Sequence, residues 1–182
     1  MKRWNSISVA TLMSASIIGL SACEEPKVDA AVFDNLQRCI KEPGMLREDC
    51  EKSYGEAKSQ HASVAPKFTS MQDCQADFGE GQCEQAPQRT SSGGSVFMPL
   101  MMGYMMGSML GGRGRGFGGS QPLYRTKGDP KTYRTADNKK AGSTLGRTRV
   151  ANSATSRPSV KTSTIKRGGF GSSGRRFGSA AT

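Results

Sequence analysis

Cysteines are the residues whose chemistry is most readily assigned in this 182-residue chain, which contains five of them. Cys23 follows an apolar N-terminal segment, whereas Cys39, Cys50, Cys74 and Cys83 come later. An even number of cysteines in an exported protein predicts disulfide bonds. We therefore expect two disulfides among the last four cysteines and a separate role for Cys23.

A repeated motif suggests how the four cysteines pair. The pattern Phe-x3-Gln-x-Cys ends once at Cys39 and again at Cys74, and each copy then reaches a Cys-Glu pair, at Cys50 and at Cys83. Local pairing would give Cys39–Cys50 and Cys74–Cys83, and two crossed bridges between the copies would fit as well. We favour the local pairing, in which each bridge adds on the order of 3 kcal/mol of stability.

Other cysteine chemistries fit the spacing poorly. A thioredoxin-like redox centre needs Cys-x-x-Cys, and a structural zinc site usually pairs ligands two to four residues apart. The intervals here are ten, twenty-three and eight residues, and the chain has one histidine. That histidine, His61, lies on the apolar face of a predicted helix, so we expect it to be structural. We expect no metal, no cofactor and no enzymatic activity.

Cys23 is the predicted lipidation site. Residues 1–3 are basic, residues 7–20 are apolar, and the small residues Ser21 and Ala22 precede the cysteine. The apolar stretch is too short to span a bilayer and is typical of a signal peptide. Its end looks like a lipobox, where the thiol is lipidated, the chain is cleaved before the cysteine and the new amine is acylated. An ordinary secretory signal is the alternative.

Lipidation at Cys23 predicts where the mature protein resides. Three acyl chains exceed the two signals that stable anchoring requires. We therefore expect an envelope protein that faces the periplasm and is attached to a membrane without crossing it. Glu24 and Glu25 follow the cysteine, and they differ from the usual Asp retention signal, so the outer membrane is favoured over the inner membrane.

Residues 96–110 form an uncharged run that contains six of the ten methionines. Glycines at positions 103, 107 and 111 are spaced by four, which on a helix creates a groove for a second helix. We predict a helix that inserts into the membrane or self-associates, although a helix packed on the disulfide-linked head is equally compatible. Methionine-rich copper sites intersperse polar residues, which this run lacks. The predicted contact residues are Met98, Met101, Met102, Gly103, Met105, Met106, Gly107 and Met109, with Gly111 completing the glycine face.

The C-terminal part of the chain is rich in Gly, Ser, Thr, Lys and Arg, a composition typical of disorder. Its Arg-Gly-Phe segments look like RGG boxes, in which arginines bind phosphates and aromatic rings stack on bases. Export would separate these segments from RNA, so we expect envelope polyanions such as lipopolysaccharide phosphates, acidic phospholipids or cell-wall carboxylates. A solvated tether is the alternative. The candidate polyanion-binding residues are Arg113, Arg115, Arg167, Arg175 and Arg176.

Helical spacing organises the segment that holds the cysteines. Small and apolar residues recur every three or four positions over residues 45–64, which predicts one amphipathic helix ending before Pro66. Ser70 begins a variant capping box for a helix that stops at Gly79 and Gly81. A short helix is also predicted around residues 34–40.

Charge divides the chain into two parts. Residues 24–95 carry a net charge of −5 and residues 96–182 a net charge of +14. Together with the motifs, this predicts a signal peptide (1–22), an acidic α-helical head (23–92), a Met/Gly-rich segment (93–112) and a basic tail (113–182). The expected fold is a small α-helical, disulfide-linked domain with a Met/Gly-rich helical segment and a largely disordered C-terminal tail.

Several longer motifs point to a known family. They are Phe78-Gly79-Glu80-Gly81-Gln82-Cys83 with Ala86-Pro87, then Phe97-Met98-Pro99-Leu100-Met101 with Gly103-Tyr104-Met105-Met106-Gly107, Gln121-Pro122-Leu123 and Arg167-Gly168-Gly169-Phe170-Gly171. These motifs resemble the YgiB-like family of proteobacterial proteins of unknown function. The resemblance covers most of the mature chain and implies an exported, lipidated protein, but it provides no catalytic residues.

These observations favour a non-catalytic protein that binds or scaffolds at the envelope. Two alternatives belong to other classes. An RGG-type nucleic-acid-binding protein would require that the chain is not exported. A periplasmic thiol enzyme or chaperone would require free, reactive cysteines in the head.

Overall fold

The computed structural model describes residues 25–90, 92–107 and 119–165. The α-helices are α1 (Leu36–Lys41), α2 (Arg47–Val64) and α3 (Met71–Phe78), and a 3-10 helix spans Asn152–Thr155. The strands are β1 (Lys27–Phe33), β2 (Lys67–Phe68), β3 (Cys83–Arg89), β4 (Ser95–Pro99), β5 (Gly103–Met106), β6 (Gln121–Thr126), β7 (Asp129–Thr135), β8 (Lys140–Gly142), β9 (Gly146–Ala151) and β10 (Thr164–Ile165).

Six strands form a large antiparallel sheet in the order β8-β7-β6-β5-β1-β9. Its edge strands β8 and β9 approach each other, which makes the sheet nearly closed and barrel-like. Near closure shields the two sheet edges, which would otherwise expose unpaired backbone groups. Strand β1 comes from the acidic part of the chain, yet it lies between β5 and β9 from the basic part.

Strand β1 shows why both faces of the large sheet are buried. Ala30 and Val32 point into the sheet interior, where they join a core cluster with Leu123 and Val150. The intervening residue Ala31 points to the other face and joins a different cluster. Because successive side chains of a strand alternate between faces, a strand buried on both sides appears as a continuous apolar run.

Helices α1 and α2 cover the outer face of this sheet. Cys50 and Ala57 of α2 are fully buried and pack with Phe33 and Tyr104 of the sheet. These α2 residues are spaced by seven, which places them on one face of the helix. The helix therefore buries the face that the sequence predicted.

A smaller sheet with the strand order β10-β2-β4-β3 packs with α3. Phe68 of β2 and Phe78 of α3 meet edge to face with ring centroids 5.9 Å apart. Tyr124 of the large sheet reaches the same cluster and lies 6.4 Å from the Phe78 ring. The two sheets are thus joined by one cluster of apolar side chains.

The predicted fold class is wrong, because 38% of the described residues lie in strands and 28% in helices. The three predicted helices are present as α1, α2 and α3, but they cover strands and do not form an α-helical domain. The described residues of the Met/Gly-rich segment are also not helical, since they contribute β4 and β5. Within the part predicted to be largely disordered, residues 121–151 contribute four strands of the large sheet.

Candidate functional site

The four cysteines of the head form the two local disulfides that we favoured. Cys39–Cys50 joins α1 to α2 with Cα atoms 5.8 Å apart, and Cys74–Cys83 joins α3 to β3 with Cα atoms 6.2 Å apart. Both distances lie in the normal disulfide range, and the crossed pairing is wrong. None of the cysteines in the described part of the chain is therefore a free thiol.

The described methionines belong to the protein's own core. Met98 packs in the small-sheet cluster, Met105 in the interior of the large sheet, and Met106 beside Cys39, whose Sγ lies 3.8 Å from the thioether sulfur. Met101 and Met102 are half-buried at the edges of these clusters. Methionine suits such positions because its flexible side chain fills irregular gaps.

Gly103 cannot form the predicted helical groove, because it is the first residue of β5 and pairs with Leu123 of β6. A Cβ at Gly103 would lie 2.6 Å from the Phe33 carbonyl oxygen, so the residue permits a close approach of backbones within the sheet. Gly107 follows the end of β5. The helical glycine face is therefore a wrong prediction. Its third member, Gly111, lies outside the described residues.

Several predicted site residues also lie outside the described part of the chain. They are Cys23, Met109, Arg113, Arg115, Arg167, Arg175 and Arg176. Their predicted roles in lipidation, membrane or helix contact and polyanion binding stay predictions.

A surface that the sequence did not reveal lies where the described chain enters β1. We call it the entry end, defined by the start of β1 at Lys27, the end of β9 at Ala151 and the start of β8 at Lys140. Lys27 and Ala151 are register partners in the antiparallel β1–β9 pair. Strands β1, β5, β6, β7 and β8 are each antiparallel to the next, so β8 runs in the same direction as β1 and begins at the same end of the sheet. There it lies beside β9.

The N-terminal segment is fixed to the entry end by hydrogen bonds. The Glu25 carboxylate accepts one bond from the Ser153 backbone N–H and another, of 2.8 Å, from the Ser153 hydroxyl. The Asn152 N–H also donates to the Pro26 carbonyl oxygen at 3.0 Å. The bonds from Ser153 hold the pKa of Glu25 below its ordinary value, and nearby Lys139 contributes in the same direction.

Cations dominate the exposed side chains around the entry end. Lys139, Lys140 and Arg157 are exposed there, and none of them has an ion pair within 4.0 Å among the described residues. The nearby carboxylates are already engaged, since Asp29 pairs with Arg149 at 3.8 Å and Glu25 binds Ser153. The entry end could therefore attract an anionic surface.

A second cationic feature is an open groove of about 630 Å³ beside the C-terminal end of α2. Lys67, Arg89 and Lys161 line it together with several hydroxyl side chains. The Lys67 side chain is largely buried, and its ammonium donates to the carbonyl oxygens of Ser63, at 3.1 Å, and Lys161. Burial and the neighbouring Lys161 charge lower the pKa of Lys67. Its ammonium closes the end of α2, where a helix favours positive charge.

His61 joins α2 to both sheets through a polar network that is only partly buried. Its Nδ1 lies 3.0 Å from Tyr124 Oη, and its Nε2 lies 3.1 Å from Glu84 Oε1. An ionised Glu84 can only accept, so neutral His61 donates through Nε2–H and accepts the Tyr124 hydroxyl proton at Nδ1. Burial lowers the pKa of His61, and the Glu84 carboxylate partly offsets this effect. Burial also raises the pKa of Tyr124.

The described residues contain no group of three or more His, Cys, Asp or Glu side chains arranged to hold a metal ion. Among the described helices, none combines the length and the apolar character needed to cross a membrane.

Comparison with known proteins identifies the family. A family model described as "Protein of unknown function (DUF1190)" matches residues 27–180. This chain belongs to that family. Among the relatives of this chain, a UPF0441 protein of Erwinia tasmaniensis is 37% identical over 190 residues, and one of Serratia proteamaculans is 34% identical over 189 residues.

The match extends over most of each relative. In both cases it covers 94% of this chain and 84% of the relative. UPF0441 protein YE3666 of Yersinia enterocolitica, with 36% identity over 197 residues, has the same coverage. No solved structure matches the chain. The YgiB-like resemblance is confirmed at the level of the family, which is one of unknown function.

The sequence contained part of the signal for the entry end. Adjacent Lys139 and Lys140 and the strongly positive charge of the C-terminal part were visible in it. Their proximity to Glu25 was not, because it depends on pairing between β1 and β9, which are more than 100 residues apart in the chain.

Proposed function

We propose that this protein is a non-catalytic, lipid-anchored protein of the bacterial cell envelope that binds anionic membrane surfaces. Attachment is through Cys23, and the folded domain faces the periplasm, with the outer membrane favoured over the inner membrane. The signal-peptide pattern before Cys23 supports this proposal. Two disulfides support it as well, because such bonds persist in oxidising compartments such as the periplasm.

The observation that carries the binding role is the charge of the folded basic part. Residues 119–165 contain ten Lys and Arg but only two carboxylates, Asp129 and Asp137. Both carboxylates are paired within the domain, Asp129 with Arg134 and Asp137 with Lys161. The excess positive charge thus belongs to a part of the chain that is folded. Each cation near an anionic membrane contributes about 1 kcal/mol of attraction.

The described side chains also favour binding over catalysis. Both ring nitrogens of His61 have partners within the fold, Tyr124 and Glu84, so the ring is held as part of the core. The sulfur atoms of the four described cysteines are bonded to each other in pairs. A thiol mechanism would need reduction of a bond whose residues are mostly buried.

Intact mass of the protein purified from membranes tests the anchor. We expect a chain that begins at Cys23 and carries three acyl chains, with four thiols that react with an alkylating reagent only after reduction. A full-length, unlipidated chain would contradict the proposal and favour the RGG-type nucleic-acid-binding alternative. Thiols that react without reductant would favour the thiol enzyme or chaperone.

A partition experiment tests the preference for anionic membranes. The purified lipoprotein is offered a mixture of phosphatidylcholine vesicles and vesicles that also contain phosphatidylglycerol, separable by density. We expect enrichment in the anionic vesicles and loss of that enrichment in high salt, because salt screens exposed charges. Equal distribution at low salt would contradict the binding role while leaving the lipid anchor intact.

A further inference from the structure

We propose that the entry end of the large sheet is the surface that faces the membrane and contacts anionic phospholipid headgroups. This inference rests on the proposed function and adds to it the orientation of the domain and the residues in contact. It places the contact on the folded sheet and not on the C-terminal tail.

The length of chain between anchor and fold limits how far the domain can move from the membrane. Cys23 is two residues before Glu25, and two residues of extended chain span at most about 7 Å. Glu25 is already bound to Ser153 of the domain through two hydrogen bonds. A lipidated Cys23 therefore leaves almost no tether, and the entry end must lie close to the headgroups.

The charges at the entry end suit that position. Lys139, Lys140 and Arg157 are exposed, and Arg149 lies on the adjoining strand β9. The Glu25 carboxylate accepts two hydrogen bonds from Ser153 and lies near Lys139. An anionic surface at this end would thus meet Lys139, Lys140 and Arg157, none of which has an ion pair within 4.0 Å among the described residues.

The opposite end of the sheet is too far away to take part. Strand β7 runs from Asp129 at the far end to Thr135 near the entry end. Seven strand residues span about 20 Å. That length exceeds the Debye length of about 8 Å at physiological ionic strength, so cations beyond the far end of β7 are largely screened from the membrane. Lys127 and Lys131 lie at this far end and are exposed.

Tryptophan fluorescence can measure which end faces the membrane. The chain contains one tryptophan, Trp4, which lies in the segment that lipidation at Cys23 removes. A single tryptophan introduced by Asn152→Trp would report on the entry end, and one introduced by Gly128→Trp on the far end. Both positions are exposed, and a side chain at Gly128 would meet nothing within 4 Å.

The lipidated variants are reconstituted into phosphatidylglycerol-containing vesicles that carry a quencher on the lipid headgroups. We expect strong quenching of the Asn152→Trp protein and little quenching of the Gly128→Trp protein. Equal quenching, or stronger quenching at position 128, would overturn the orientation although the protein is membrane-bound. A protein that is not lipidated and does not float with vesicles would overturn the proposed function itself.

Charge reversal separates headgroup contact from mere proximity. For the Asn152→Trp protein, we expect stronger quenching in anionic vesicles than in neutral vesicles. In this background, Lys139→Glu with Lys140→Glu should abolish the difference. The matched pair Lys127→Glu with Lys131→Glu changes the net charge equally and should preserve it. Loss of the effect in both pairs would show that only net charge matters, and its retention in both would show that Lys139 and Lys140 make no contact. Either result would overturn the assignment.

Discussion

Two segments of this protein begin with the same motif and then diverge. In the first repeat (residues 33–50), Phe33 is the last residue of β1, and Asn35 caps α1 by accepting a hydrogen bond from the Arg38 N–H. In the second repeat (residues 68–83), Phe68 is the last residue of β2, and Ser70 caps α3 by accepting from the Asp73 N–H. In both repeats, the first cysteine is the fourth residue of the helix.

The repeats differ after the helix. The second cysteine of the first repeat, Cys50, lies in α2, whereas that of the second repeat, Cys83, begins β3. Gly79 and Gly81 explain the change, because both adopt positive φ, +106° and +70°, which ends α3 and redirects the chain. The shared motif thus specifies a strand, a cap and a helix, and the residues that follow decide which sheet each repeat covers.

The largest expected effect comes from removing the phenylalanine of either repeat. Phe33 and Phe68 are both fully buried, so Phe33→Ala and Phe68→Ala should each lower the free energy of unfolding by about 3–5 kcal/mol. Urea unfolding followed by circular dichroism measures the loss. Leu46→Ala is the control, because the Leu46 side chain is 66% exposed and its removal should cost little.

These two variants also test whether the repeats are independent. Contacts between the sheets at Tyr124 predict a single unfolding transition in both variants. If Phe68→Ala instead produced a separate early transition, the small sheet would be an autonomous unit, and the comparison would be between two domains.

The next largest effect is removal of either disulfide. The bridges enclose similar lengths of chain, with sequence separations of 11 and 9, so the double Ser variants should each lose about 3 kcal/mol. Reversible thermal unfolding of the two variants under identical conditions measures the difference. A much smaller loss for Cys74→Ser with Cys83→Ser would indicate that α3 and β3 hold that repeat without the bond.

The pH dependence of stability tests the contribution of His61, which lies in α2, the helix that only the first repeat has. The folded-state pKa of His61 is lowered by burial, so the unfolded chain binds a proton more readily. The contribution of His61 is therefore complete above its ordinary pKa of about 6.5 and is lost as the pH falls through its folded-state pKa. One such group contributes at most about 1.4 kcal/mol per pH unit.

Urea unfolding at a series of pH values between about 7.5 and about 5 checks this dependence, because this range brackets the ordinary pKa of histidine, about 6.5. Because His61 is the chain's only histidine, the His61→Gln variant provides the control and should flatten the profile. An unchanged profile in His61→Gln would assign the dependence to carboxylates and not to the network with Tyr124 and Glu84.

The smallest expected effect distinguishes the two caps. Ser70 accepts from the Asp73 N–H at 3.1 Å and also donates to the Asp73 carboxylate at 2.8 Å, whereas Asn35 is exposed and caps with one accepted bond. Ser70→Ala should cost about 1 kcal/mol or slightly more, and Asn35→Ala about 0.5 kcal/mol. Chemical denaturation resolves this order, and equal losses would mean that the second bond of Ser70 adds nothing.

The sequence was most informative where the signals were local. Spacing by three and four residues predicted α2, the Ser70 cap predicted the start of α3, and the repeated motif favoured the observed disulfides. It was least informative for β5 and β6, whose residues are buried on both faces. Gly103–Met106 carries no polar alternation that would distinguish a strand from a helix.

The candidate site was predictable only in part. The charge of the basic part and the Lys139-Lys140 pair are present in the sequence, but their position at the entry end is not. The arginines predicted to bind polyanions lie outside the described residues. The described surface offers other cations, on strands that the composition did not reveal.

The sequence alone determined the features that depend on neighbouring residues: three helices, the Ser70 cap, two short disulfide loops, the charge division and the family. Only the tertiary structure decided that β1 lies between two strands of the basic part and that Glu25 meets Ser153. Pairing between strands that are far apart in the chain depends on how both faces of the sheet are buried. The low average hydrophobicity of the basic part does not reveal such pairing. For that reason a segment rich in glycine and arginine appeared disordered, although much of it builds the core of the fold.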